Sequence, residues 1–119
     1  MMTSNIFDNF GIGIDIVEVE QFRKKIFSGN KEFYQKIFSE HEIDYCLKFE
    51  DPYPHFAGKF AIKEAVIKSI QEKITPIEIE TSHSISKPII ILKHNSYKFI
   101  VSISNEKNTA VGVVLSFKM

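Results

Sequence analysis

The sequence predicts an α+β domain in which a mainly antiparallel sheet packs around one long helix. Three observations carry that expectation. Apolar residues alternate near the start of the chain at Ile12, Ile14 and Ile16, which is the period of a strand. They recur at helical spacing through the middle, most densely in FAGKFAIKEAVIKSI, Phe56 to Ile70. After Pro76 they alternate again in several short runs joined by short connections. Strand, helices, then strands is the order of an α+β fold. With 119 residues, 44% of them apolar and 11 of them Phe, the chain can build one core, so residues 1–119 are expected to form a single domain.

From Phe10 the first strand puts Ile12, Ile14 and Ile16 on one face and Gly11, Gly13 and Asp15 on the other. The two glycines leave room for something to approach the backbone on the Asp15 face. Val19, Phe22, Ile26 and Phe27 then recur at helical spacing until Ser28, Gly29 and Asn30 break the pattern. Phe33, Tyr34, Ile37 and Phe38 suggest a further turn or two of helix. Ser39 and Glu42 have capping-box spacing before Ile43, Cys46 and Leu47, and that helix should stop before Asp51, Pro52, Tyr53 and Pro54. The longest helix is expected over roughly Phe56 to Gln71, with apolar residues around most of its circumference and hence largely enclosed. Strands follow at Ile77 and Ile79, at Pro88 to Leu92, at Phe99, Val101 and Ile103, and, after a turn at Asn105 to Asn108, at Thr109 to Phe117.

Composition excludes several classes of function. Fifteen basic and fifteen acidic residues cancel, which gives no global reason to expect nucleic acid or an anionic membrane surface. The single cysteine, Cys46, rules out an intrachain disulfide and a cysteine-based zinc site, and reads as a small buried hydrophobe. The start MMTSNIFDNF lacks the pattern of a signal peptide, and no window reaches the roughly 18 apolar residues of a membrane span, so a cytoplasmic protein is expected. His41, His55, His83 and His94 show no metal-ligand spacing and read as surface or loop residues.

Two carboxylates stand out by their surroundings. Asp15 lies on the glycine face of its strand, and Glu64 lies in a helix otherwise lined with small and apolar residues, where an ionised carboxylate needs a partner or a metal. Carboxylates that converge from separate elements commonly hold Mg²⁺, with phosphate oxygens and water completing the octahedron. Lys68 follows Glu64 by one helical turn, and Lys59 precedes Lys63 by one. Spacing alone leaves open that Glu64 and Lys68 are an ordinary surface pair and that Asp15 caps the following helix.

Taken together and in order, GIGIDIVEVEQF at Gly11 to Phe22, FAGKFAIKEAVIKSI at Phe56 to Ile70 and VSISNE at Val101 to Glu106 resemble holo-acyl-carrier-protein synthase, the small 4'-phosphopantetheinyl transferase family. The resemblance implies that fold and the Mg²⁺-dependent transfer of 4'-phosphopantetheine from coenzyme A to a serine of apo acyl carrier protein, in fatty acid biosynthesis. It implies a homotrimer with active sites between subunits. Residue by residue it makes Asp15 and Glu64 metal ligands, Asp15, Glu64 and Lys68 catalytic, and Lys59, Lys68 and Asn105 contacts to coenzyme A. The chain departs from the family pattern in three places. Asn105 stands where the final motif usually has histidine, Gln71 to Pro76 lacks the usual glycines, and Gln21 replaces a basic residue, with Arg23, Lys24 and Lys25 close by. These departures motivate an alternative reading, a catalytically weak or inactive homologue that binds acyl carrier protein or a nucleotide.

Overall fold

Glycines decide how the long helix meets the sheet. In the computed structural model, which describes residues 5–84, 87–92 and 96–119, strand β1 (Phe10–Glu18) pairs antiparallel with β5 (Thr109–Lys118), and β5 with β4 (Tyr97–Asn105), giving the order β1-β5-β4. Helix α4 (Tyr53–Ser69) lies across this sheet. A Cβ on Gly13 would stand 1.9 Å from the Ala65 carbonyl oxygen, one on Gly11 1.8 Å from that of Ser69, and one on Gly112 2.8 Å from the Ala61 carbonyl carbon. What approaches the bare face of β1 is therefore the main chain of α4. Ser116 Oγ completes the contact by donating to the Ser69 carbonyl at 2.8 Å, which satisfies one of the carbonyls left open at the helix end.

The remaining elements close around the helix. Helices α1 (Glu20–Arg23), α2 (Lys31–Gln35) and α3 (Glu40–Leu47) pack an aromatic cluster against its first half, where Phe22, Tyr34, Phe38 and Phe56 are buried together with Ala57 and Ala61. Its second half, through Ile62, Ala65 and Val66, packs against Ile79 and Val114. Strands β2 (Ile79–Ser84) and β3 (Lys87–Leu92) form a separate antiparallel hairpin, and β3 runs close to β4. The expected α+β class and antiparallel pairing thus hold, with the strands divided between two sheets.

Several expected boundaries move for local reasons. Helix α4 begins at Tyr53, so Pro54 starts this helix rather than separating it from its predecessor. A proline in the first turn costs nothing, because its missing N–H would have had no intrahelical partner. The apolar spacing from Val19 to Phe27 produces only the single turn of α1 and a 3-10 turn at Phe27–Gly29. Ile77 belongs to a 3-10 turn, Pro76–Glu78, so the strand starts at Ile79. The Ser39–Glu42 capping box forms as expected. Cys46 is fully buried, and burial pushes its thiol up to about 12, which makes it the inert hydrophobe its context suggested.

The outward face of the sheet is unusual. Ile12, Ile14, Ile16 and Ile100 are 71%, 56%, 65% and 70% exposed, and they sit in register with Leu115, Val113 and Val111 of β5. The isoleucine row of β1 faces away from the core because the helix occupies the glycine side.

Candidate active site

The charges of α4 fall into separate groups, each defined by what it touches. Lys63 is fully buried. Its ammonium pairs with Glu42 Oε1 of α3 at 2.7 Å and donates to the carbonyls of Ile37, Pro76 and Ile79 at 2.9, 3.0 and 2.6 Å. Glu42, equally buried, accepts from Ser39 N through Oε1 and from both the amide and the hydroxyl of Thr81 through Oε2, at 2.9, 2.8 and 2.6 Å. This network ties α3, α4 and β2 together with every charge hydrogen-bonded. Sequence reasoning read Glu42 only as a cap. The signal for its second role was Lys63 itself, an ammonium in an apolar helix that required a buried acceptor.

Lys59, one turn earlier, points toward β2. It is 5% exposed, donates to Thr81 O and Oγ1 at 3.2 and 2.9 Å, and lies 4.7 Å from the centre of the Tyr45 ring. Burial pulls its pKa down, partly offset by Cys46, Glu42 and Glu80. It lines a cleft of about 200 Å³ together with Tyr45, His55, Thr81, His83 and Asn105. Asn105 Nδ2 donates to the Pro54 carbonyl at 3.3 Å, which places this side chain over the start of α4.

The third group forms on the opposite side of the helix. Lys68 Nζ donates to Asp15 Oδ1 at 2.8 Å and to the Ile14 carbonyl at 3.1 Å, so its partner is the strand and not Glu64 one turn away. Asp15 therefore does not cap the helix that follows it. Glu64 lies half-buried beside this pair. Burial pushes its carboxyl up, the Asp15 charge pushes it further, and Lys68 pulls it back. The close main-chain contact at Gly13 and Ala65 is what brings Glu64 within the field of Asp15. Two hard oxygen donors from different elements, one held above its usual pKa by the other, fit a divalent cation of the Mg²⁺ type, which takes one or two carboxylates and completes its shell with phosphate and water. Among the described residues no group of three or more His, Cys, Asp and Glu side chains gathers as a metal site, as expected for a two-carboxylate arrangement that borrows ligands from a substrate.

The two groups that line Lys59 and Lys68 are thus apart. At about 100° per residue, nine residues place those lysines about 180° apart around α4. Of the histidines, His41 meets Glu80 at 3.4 Å, His55 and His83 line the Lys59 cleft, and His94 lies outside the described residues.

A model of the 4'-phosphopantetheinyl transferase superfamily matches residues 11–114, which include all of these groups. The chain belongs to that superfamily. Among its relatives, the holo-acyl-carrier-protein synthase of Thermodesulfovibrio yellowstonii is 40% identical over 108 residues, covering 88% of this chain and 96% of the relative. That of Chlamydia caviae is 37% identical over 116 residues, covering 87% and 95%. Solved holo-acyl-carrier-protein synthases share the fold. The Bacillus anthracis protein, in complex with coenzyme A (3',5'-ADP), superposes with a TM-score of 0.78 at 29% identity, covering 92% of this chain and 96% of its own. The Helicobacter pylori protein, in complex with coenzyme A, gives 0.74 at 31% identity, covering 87% and 96%. The chain is a phosphopantetheinyl transferase of the holo-acyl-carrier-protein synthase family, and its fold is the one that the sequence motifs implied.

Proposed function

We propose that the protein transfers 4'-phosphopantetheine from coenzyme A to a serine of apo acyl carrier protein, with Mg²⁺, in the cytoplasm and in the service of fatty acid biosynthesis. The observation that carries this reading is the meeting of Asp15 and Glu64 across the Gly13 contact, with Lys68 bound to Asp15. Asp15 and Glu64 would hold Mg²⁺, which offsets charge on the pyrophosphate of coenzyme A when bound. Lys68, 54% exposed at its side chain, adds a cation at the edge of the same site.

The raised pKa of Glu64 suits it to accept a proton near neutral pH. In the reaction the serine hydroxyl oxygen bonds to the phosphorus that carries pantetheine, and the bond from that phosphorus to the bridging oxygen breaks. The serine proton passes to Glu64, directly or through a water it orients. Adenosine 3',5'-bisphosphate leaves with the electron pair of the broken bond. Lys59 and Asn105, in the cleft on the far side of α4, are proposed to contact coenzyme A. Their separation from Asp15 and Glu64 favours a site completed by a second copy of the chain. The exposed isoleucines of the sheet supply an apolar face for that assembly, proposed to be a homotrimer. Lys24 and Lys25 remain for contact with an acidic carrier protein, since Arg23 is engaged by Asp51 at 2.8 Å. No helix among the described residues is long and apolar enough to cross a membrane.

The test is direct. The purified protein, incubated with coenzyme A, Mg²⁺ and the apo carrier protein of its own organism, should yield carrier protein heavier by one phosphopantetheine on intact mass. Absence of that product, with a known synthase active in parallel, would reject the enzymatic reading. Carrier binding that is independent of Mg²⁺ and of Glu64 would then favour the non-catalytic alternative. Light scattering should give a trimer mass, and a monomer at micromolar concentration would remove the shared site.

A further inference from the structure

The cleft around Lys59 holds two imidazoles for which the transfer reaction has no use. Each is fixed by a ring it lies against: His55 on Phe49, centroids 3.6 Å apart and planes 15° from parallel, and His83 on Tyr45, at 4.8 Å and 21°. Tyr45 also meets His55 nearly edge-on at 6.3 Å and presents its ring to the Lys59 ammonium. One tyrosine thus organises three groups that can carry positive charge. Stacking occupies ring faces and leaves the imidazole nitrogens available for hydrogen bonds in the ring plane.

The charges that bear on the cleft come from every element around it. His55 is affected by Asp51, which favours its charged form, and by Lys59, which opposes it. His83 is opposed by Lys59 and by His55. Glu80 acts on Lys59 and takes up His41 at the same time, while Tyr45 stays neutral because burial pushes its phenol up. Burial is the largest effect on both histidines and lowers their pKa. A site with three mutually repelling cationic groups and no carboxylate lining the cleft is built to be completed by an anion.

We infer that His55 and His83, together with Lys59, form a proton-dependent subsite for a phosphomonoester, which is the phosphate on the ribose of coenzyme A. The inference rests on the proposed coenzyme A reading. A bound dianion reverses the repulsion among the three groups, so binding draws protons onto the imidazoles. By linkage, added protons then strengthen binding by the same factor. The second ionisation of the phosphate, near pH 6, works in the opposite direction. A variant without the two imidazoles is therefore the proper reference.

Titration calorimetry with coenzyme A and with dephospho-coenzyme A, which lacks that phosphate, separates the possibilities. Between about pH 8 and about pH 6, the preference of the wild-type protein for coenzyme A over the dephospho form should rise by about tenfold relative to His55→Gln/His83→Gln, with proton uptake on binding. His83 is exposed, so His83→Gln alone should fold and lose part of the rise even if the double variant does not fold. A preference that does not change with pH, equal binding of both compounds, or an unchanged pH dependence in a folded variant overturns the subsite while leaving the transferase reading intact. Failure of both compounds to bind at any pH overturns the two together.

Discussion

Helix α4 carries two acid–base clusters that differ in one respect. In the Glu42–Lys63 cluster every donor and acceptor of the pair is matched, both side chains are fully buried, and three elements are tied by it. In the Asp15–Glu64–Lys68 cluster one lysine serves two carboxylates, Asp15 takes its hydrogen bond, and Glu64 is left with a raised pKa. The first spends its charges on structure. The second keeps one in reserve, which is the condition of a group that waits for a ligand or a proton. The same helix therefore supplies a rigid anchor on one side and a reactive group on the other.

The comparison breaks most visibly if the anchor is cut. Glu42→Ala or Lys63→Ala leaves a buried charge without its partner and should cost about 3–5 kcal/mol of stability in urea denaturation. A paired Glu42→Leu/Lys63→Met replacement should recover much of that loss, because two apolar groups leave no unpaired charge between them. Recovery of nothing would mean that the hydrogen bonds to Thr81 and the carbonyls matter more than the ion pair.

The reactive cluster should respond in the opposite way. Glu64→Gln and Asp15→Asn keep the side-chain shapes and remove a negative oxygen, so the turnover of phosphopantetheine should fall by about two orders of magnitude or more. Stability should not fall with it. The folded-state pKa of Glu64 is raised, so this group favours folding when protonated, and that contribution is lost as pH rises through the raised pKa. At neutral pH ionised Glu64 is a burden, and Glu64→Gln should melt at or above the wild-type temperature, with the advantage vanishing in acid. Full turnover in Glu64→Gln at unchanged Mg²⁺ dependence would move the proton acceptor elsewhere.

A subtler test uses the pH profile. The acid limb of turnover should lie above the ordinary glutamate range, since Glu64 must be ionised to accept a proton. Lys68→Met removes the cation that lowers the Glu64 pKa and should move the acid limb to higher pH. A limb that does not move would separate Lys68 from the titrating group. The smallest expected effect belongs to the far side of α4. Asn105→His should leave Mg²⁺ dependence unchanged and tighten coenzyme A by about 1 kcal/mol, through a hydrogen bond to a charged group.

What the sequence revealed follows from how local each signal is. Alternation in β1 and the missing side chains at Gly11 and Gly13 are properties of one strand, and they correctly placed Asp15 on the side that something else approaches. The capping box at Ser39 and Glu42 is equally local. Helix α4 was legible in kind but not at its start, because Pro54 reads as a breaker until its position in the first turn is known. The partners of Lys63 come from residues 21 positions before it and up to 16 after it, and no periodicity reports such a meeting. Lys59 and Lys68 look alike in the sequence and lie on opposite faces in the fold. His55 and His83 are 28 positions apart in sequence and become neighbours only through Tyr45. The isoleucine row of β1 could be assigned to one face, but not to the outside, until the helix was seen on the other.

The glycine track under α4 has a further consequence. The three glycines meet Ala61, Ala65 and Ser69, which are spaced by four along the helix, so successive turns bed into successive notches of the sheet. Such a contact works as a ratchet with a pitch of about 5.4 Å, one helical turn, and offers no comfortable position in between. A slip by one notch would bring Phe60 or Lys68, not Glu64, opposite Asp15. The carboxylate pair is therefore indexed in whole steps: α4 seats with its acid in place or without one, and the chemistry is present in full or missing.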